Sequence, residues 1–167
     1  PVIVAQFFGQ LGYLYPGRVS LGVGSGEAFN EAPLFSGKWP NYNERFGRLI
    51  EAIEIIKKLW DSRDFFDYDG KYYSLKDVKM YIKPEVQIPL ILSAFGPKSA
   101  RVAGMLCDGL VTLCTVPFER VEKEIIPNFS ASALQSGKEP KTMQKQLWTF
   151  GGVFPDPLKA VDLGRLT

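Results

Sequence analysis

Apolar residues recur along this chain at two spacings that take turns, helical and then extended. Between Val2 and Leu14, Ile3, Phe7, Leu11 and Leu14 return at helical spacing, which predicts a helix with that side against a core, ended by the turn signal Pro16-Gly17. Val19 to Val23 is a short β-branched and apolar run, the composition of a strand buried on both faces. It runs into glycines at 22, 24 and 26, and the proline-containing residues from Glu31 to Tyr42 are irregular, so a surface loop is expected there. A long amphipathic helix follows. Asn41 is placed to cap it, Glu44 occupies the third helical position, and Phe46, Leu49, Ile50, Ile53, Ile56 and Trp60 form one apolar face. Glu44 with Arg48, and Glu54 with Lys58, stand four apart on its wet side.

From Asp64 to Tyr81 aromatic and polar residues mix around Asp69-Gly70, a type I′ hairpin signal that places Phe65-Phe66 and Tyr72-Tyr73 on paired short strands. Such aromatics either shield a pocket or cover the core from outside. Pro89 to Ala94 reads as a buried strand, and Gly96-Pro97 begins a helix with proline at its first position. Asp108 to Leu113 is the next strand, Pro117 to Gly137 a helix broken near Pro127, and Leu147 to Val153 one more strand. This alternation predicts an α/β chain with a parallel sheet. With no linker and no repeat beyond strand and helix, residues 1–167 read as one domain.

Composition adds limits rather than direction. An apolar content of 46% with 23% charged residues in 167 is ordinary for a soluble globular chain with one core. A formal charge of +2 without a basic stripe gives no reason to expect a nucleic-acid partner. Apolar stretches stop well short of the roughly 18 residues of a membrane span. No basic region followed by a hydrophobic run opens the chain, so no membrane partner and a cytoplasmic location are expected. Cys107 and Cys114 read as buried free thiols, neither a disulfide framework nor a metal cluster. The chain has no histidine, which excludes Ser-His-Asp and Cys-His arrangements from these residues and leaves proton work to Glu and Asp.

Chemistry concentrates at the glycines. A strand ending at Gly22, Gly24 and Gly26 leaves open backbone that a flat ligand can approach, with Ser25, Glu27, Asn30 and Glu31 around it, as at the C-terminal mouth of a parallel barrel. A carboxyl at Glu27 facing such a ligand would be partly desolvated, with its pKa raised toward neutrality, the condition for a general acid. A dinucleotide fingerprint is discounted, because its third glycine would fall on Glu27 and Pro33 interrupts the helix. The glycines serve equally well as a tight turn with Glu27 and Glu31 solvated, and pattern leaves both readings open. At Gly96-Pro97 the free backbone donors of a helix start, with the Ser99 hydroxyl and the Lys98 charge nearby, make an anion site.

The run from Pro16 to Glu31, followed by Trp39-Pro40, Glu44-Arg45-Phe46, Arg48-Leu49, Tyr68-Asp69-Gly70, Gly96-Pro97 and Asp108-Gly109, resembles the bacterial luciferase-like superfamily. Within it the resemblance is to the branch of coenzyme F420 (deazaflavin) dependent oxidoreductases that includes F420-dependent glucose-6-phosphate dehydrogenase, and it spans residues 1 to 155. The resemblance implies a partial (β/α)8 TIM barrel with a small β-hairpin insertion. It begins after the third strand and stops beyond the sixth or seventh, so the chain, which opens on Pro1 and is shorter than the ~250 residues of a full barrel, is expected to be a piece of a larger protein.

The implied activity is hydride transfer between an alcohol- or sugar-type substrate carbon and F420. Glu27 is the acid near the ring, Ser25, Gly26 and Asn30 contact the cofactor, and Gly96, Pro97, Lys98 and Ser99 hold its phosphate. A histidine base and its neighbouring tryptophan belong to the missing N-terminal part, so the fragment alone is expected to be inactive. Phe95 departs from the pattern, standing where the sugar-phosphate enzyme has a second glycine. Leu113 and Val116 stand where that enzyme carries a threonine and a lysine for the substrate phosphate. A homodimer acting on a small molecule is expected. The alternatives are an FMN-dependent luciferase-like monooxygenase and a non-catalytic fragment.

Overall fold

A computed structural model describes residues 1–34 and 37–149. Helix α1 spans Val2–Leu14, but its core side is the opposite of the one its large residues predict. Ala5, Gly9 and Gly12 face inward, while Ile3, Phe7 and Leu14 are exposed, Ile3 at 82%. The reason is close approach. A Cβ on Gly9 would stand 2.6 Å from Met80 Cε, and one on Gly12 would stand 2.7 Å from Pro84 Cβ, so only small residues fit against these neighbours. Trp60 Nε1 donates to the Ala5 carbonyl at 2.9 Å and fixes the helix there.

Strands β1 (Leu21–Val23), β4 (Leu90–Ser93), β5 (Gly109–Leu113) and β6 (Gln144–Trp148) form one parallel sheet in the order β1-β4-β5-β6, a section of a (β/α)8 barrel. The register sets Gly22, Ile91, Gly109 and Gln144 in one row across it, with Ser93, Val111 and Gln146 in the next but one. Leu90, Leu92 and Leu110 point the other way, into a core shared with Ala100 and Ala103 of α4 (Pro97–Leu106) and with Phe129. β1 is shorter than predicted and is not buried on both faces: Leu21 is buried, whereas Gly22 is exposed at the sheet's edge. β6 begins earlier than predicted, and residues 150–153 of the predicted strand lie outside the described residues.

A short helix, α2 (Ala28–Glu31), leads into the predicted loop, which begins with a 3₁₀ turn (Ala32–Leu34). Helix α3 (Tyr42–Asp61) is capped by Asn41, whose Oδ1 accepts the Glu44 N–H at 3.0 Å. Glu44 pairs with Arg48 at 2.8 Å as expected. Glu54 and Lys58 do not pair; Glu54 accepts from the Tyr68 hydroxyl and Lys58 donates to the Asp67 carbonyl, so both hold the hairpin instead.

That hairpin is β2 (Phe66–Asp69) with β3 (Ser74–Val78), and Tyr72 and Tyr73 sit in its loop rather than on a strand. The α3 carboxylate of Glu51 accepts the N–H groups of Lys71, Tyr72 and Tyr73 at 2.9, 2.9 and 3.1 Å, which holds a longer loop than the type I′ turn predicted. Gly70 accordingly lacks the positive φ of that turn.

From Phe118 to Gln135 the helix is continuous, not broken. A π turn at Val121–Ile125 joins α5 (Phe118–Arg120) to α6 (Ile126–Gln135), and Pro127 sits just beyond it, so the proline inside the helix is met by a local widening of the turn instead of a break. Cys107 is buried, and burial pushes its thiol up to about 12, Lys138 opposing the shift. Cys114 is exposed, contrary to expectation, because it lies just past the end of β5, whose burial already falls off at Leu113. Among the described residues no helix is long and apolar enough to cross a membrane.

Candidate functional site

The C-terminal ends of β1, β4 and β5 open into three contiguous clefts. One, of about 420 Å³, lies over the open sheet face between Gly22, Ser93, Val111 and Trp148. The second, of about 800 Å³, runs over Gly24, Ser25, Gly26, Glu27 and Glu31 to Tyr42 and Arg45. The third, of about 330 Å³, lies at the start of α4 among Ser25, Phe95, Gly96, Lys98 and Ser99. Ser93 and Phe95 line all three. Ser25, Gly26, Glu27 and the residues of the α4 start, taken separately from the sequence, are thus brought to one mouth.

The three glycines differ. A Cβ on Gly22 would meet nothing within 4 Å and one on Gly24 only Ser93 Cβ at 3.5 Å, so the backbone is open there. Gly26 takes φ +73°, which explains glycine at that position, and the Glu31 carboxylate packs directly on it. Glu31 Oε1 also accepts the Glu27 N–H at 3.3 Å, so Glu31 folds the loop over α2.

Glu27 is exposed at the lip of the mouth. Its Oε1 accepts from Asn30 Nδ2, so Asn30, expected to meet the cofactor, orients the carboxylate.

At the α4 start, Gly96 is the N-cap, and Pro97 carries no N–H, which leaves the N–H groups of Lys98 and Ser99 without helical acceptors. The side chains are turned away from this opening. Ser99 Oγ is buried beneath it and donates to the Gly96 carbonyl at 3.0 Å; Lys98 Nζ reaches back to Asn43 Oδ1 at 3.0 Å and lies over the rings of Tyr42 and Phe46. The anion site is therefore backbone, with Lys98 adding charge only from a distance.

Sequence reasoning missed Arg45 and Tyr42. Arg45 Nε donates to the Ser25 carbonyl at 3.1 Å, Nη1 donates to the Pro40 carbonyl at 2.5 Å, and the guanidinium lies 5.1 Å from the Trp39 ring centre. It pins the glycine loop to the loop before α3. Tyr42 stacks on Phe46 at the edge of the mouth, and burial raises its phenol pKa while Arg45 lowers it. Both residues of that contact lie in motifs the sequence already singled out, Trp39-Pro40 and Glu44-Arg45-Phe46, but their pairing is a contact that periodicity does not carry.

The chain belongs to the luciferase-like monooxygenase family, which it matches over residues 1–154. It is 37% identical over 166 residues to the F420-dependent glucose-6-phosphate dehydrogenase of Gordonia bronchialis, covering 99% of this chain and 49% of that protein. Its fold superimposes on an F420-dependent secondary alcohol dehydrogenase in complex with an F420–acetone adduct with a TM-score of 0.87 and 39% identity, over 96% of this chain and 48% of that one. A monooxygenase from Streptomyces bottropensis shares the fold at a TM-score of 0.81 with 20% identity, over 99% of this chain and 50% of that one. The chain spans about half the length of the curated relatives it matches.

Proposed function

We propose that the full-length protein is a coenzyme F420-dependent oxidoreductase that moves a hydride between the carbinol carbon of an alcohol and the deazaflavin. The observation that carries this reading is the continuous mouth from Gly24 to the α4 start, in a chain 39% identical to an F420-dependent alcohol dehydrogenase. The residues fit a long, flat, phosphate-bearing group: open backbone at Gly22 and Gly24, and at the other end unpaired N–H groups beside a glycine whose missing Cβ leaves space. When bound, the deazaflavin supplies the two-electron acceptor. Gly24, Ser25 and Gly26 offer main chain to the ring, held in place by Arg45, while Lys98 and Ser99 offer N–H groups to the phosphate. Glu27 carries the proton at its carboxylate, fixed by Asn30.

Purified full-length protein titrated optically with deazaflavin and with FMN separates the two cofactor readings. Tight binding of deazaflavin and weak binding of FMN is expected; copurification with FMN and indifference to deazaflavin would overturn the proposal.

The full-length protein is also proposed to be a homodimer. Helix α1 carries no charged residue, and its exposed side presents Ile3, Val4, Phe7 and Leu14, a stripe that a second copy would cover where the rest of the full-length chain leaves it open. Phe7→Asp is expected to convert a dimer to a monomer on size-exclusion chromatography with light scattering. A wild-type monomer, or a Phe7→Asp dimer, would remove α1 from the interface.

A further inference from the structure

We infer that Arg120 is a phosphate-binding residue of the cofactor mouth, an inference that rests on the F420 reading above. Arg120 belongs to α5, in the connection after β5, yet its Nη2 stands 3.5 Å from where a Cβ on Gly96 would lie. It therefore stands beside the N-cap glycine of α4, next to the first turn that presents the unpaired N–H groups.

The cations around the α4 start differ in what they have left to give. Lys98 is engaged with Asn43, and Arg101 Nη1 donates to Asn128 Oδ1 at 2.7 Å. Arg120 donates Nε to Glu124 Oε2 at 3.2 Å, and its Nη donors find no acceptor among the described residues. A guanidinium with one edge anchored and the other unspent suits a phosphate oxygen pair. Glu124, four residues on along the same helix, is placed to anchor it.

The position also answers Phe95. Where the resembling sugar-phosphate enzymes have a second glycine, this chain has a half-exposed aromatic ring that takes space beside Gly96. A cation from the neighbouring loop restores attraction for an anion without needing that backbone approach. Glu119, the acid of α5, is already paired with Lys123 at 2.7 Å.

The test is equilibrium binding to full-length protein by optical titration with two probes, the deazaflavin mononucleotide and its phosphate-free nucleoside. Arg120→Ala is expected to weaken the mononucleotide roughly 10- to 100-fold and to leave the nucleoside unchanged. Arg120→Lys should recover part of the loss, since the charge stays and the fork goes, and the Arg120→Ala effect should shrink with added salt. The side chain is half-exposed, so the melting temperature should stay near wild type. Equal losses for both probes, or none for either, would overturn the role of Arg120 alone. Wild-type protein that binds neither probe would overturn the F420 reading and this inference with it.

Discussion

With deazaflavin as acceptor, the full-length protein is expected to oxidise a small secondary alcohol and to leave glucose 6-phosphate untouched. Leu113 and Val116 take the positions where the resembling sugar-phosphate enzymes carry a threonine and a lysine for the substrate phosphate. Leu113 lines both the sheet-face cleft and the mouth, opposite Trp148 and near Phe95. Val116 is buried in the core and does not reach the clefts at all. Lys123 is held outside by Glu119, and Arg120 stands beside Gly96 at the other end. A phosphate dianion entering this apolar rim would lose hydration without a partner, at about 3–5 kcal/mol, roughly 10²- to 10⁴-fold in kcat/KM. A neutral alcohol meets Leu113, Phe95 and Trp148 without that cost, and Ser93 and Gln146 offer it hydrogen bonds from the sheet below. The comparison is steady-state reduction of deazaflavin with each substrate in turn. Efficient turnover of the sugar phosphate alone would sink this expectation.

Glu27→Gln is expected to lower turnover by roughly 10²- to 10⁴-fold while cofactor affinity stays near wild type. The amide keeps the shape and still offers Asn30 an acceptor, but it has no proton to give. Because Glu27 is exposed and its carboxylate meets only Asn30 in the described contacts, stability should change by less than about 0.5 kcal/mol. Kinetics and thermal unfolding on the same preparation read the two apart. A variant with wild-type turnover would take Glu27 out of the mechanism.

Much of the fold was legible because alternating strand and helix patterns are strong over long elements. The apolar face of α3, its Asn41 cap, the strand before Gly96 and the helix opening on Pro97 all carry local signals, and each lies where they put it. The failures have a common physical cause, which is tertiary contact overriding local preference. Spacing put the large residues of α1 inward, yet Met80 and Pro84 leave room only for Gly9 and Gly12. Asp69-Gly70 signalled a tight turn, yet Glu51 from α3 holds three amides of a longer loop.

The site shows the same division. Gly24 to Glu27 and Gly96 to Ser99 were readable as open backbone and a helix start, each a local property. That both open on Ser93 and Phe95, that Arg45 pins one of them and that Arg120 stands beside the other depends on parallel strands brought side by side. Periodicity carries no such information.

Following the hydrogen itself tests the central claim most directly. Full-length protein is given deazaflavin and a secondary alcohol deuterated at its carbinol carbon, and the reduced cofactor is analysed by mass spectrometry. The account predicts one deuterium recovered in the reduced deazaflavin and slower turnover than with the undeuterated alcohol. Reduced deazaflavin without deuterium, or no reduction while bound FMN consumes dioxygen, would contradict it.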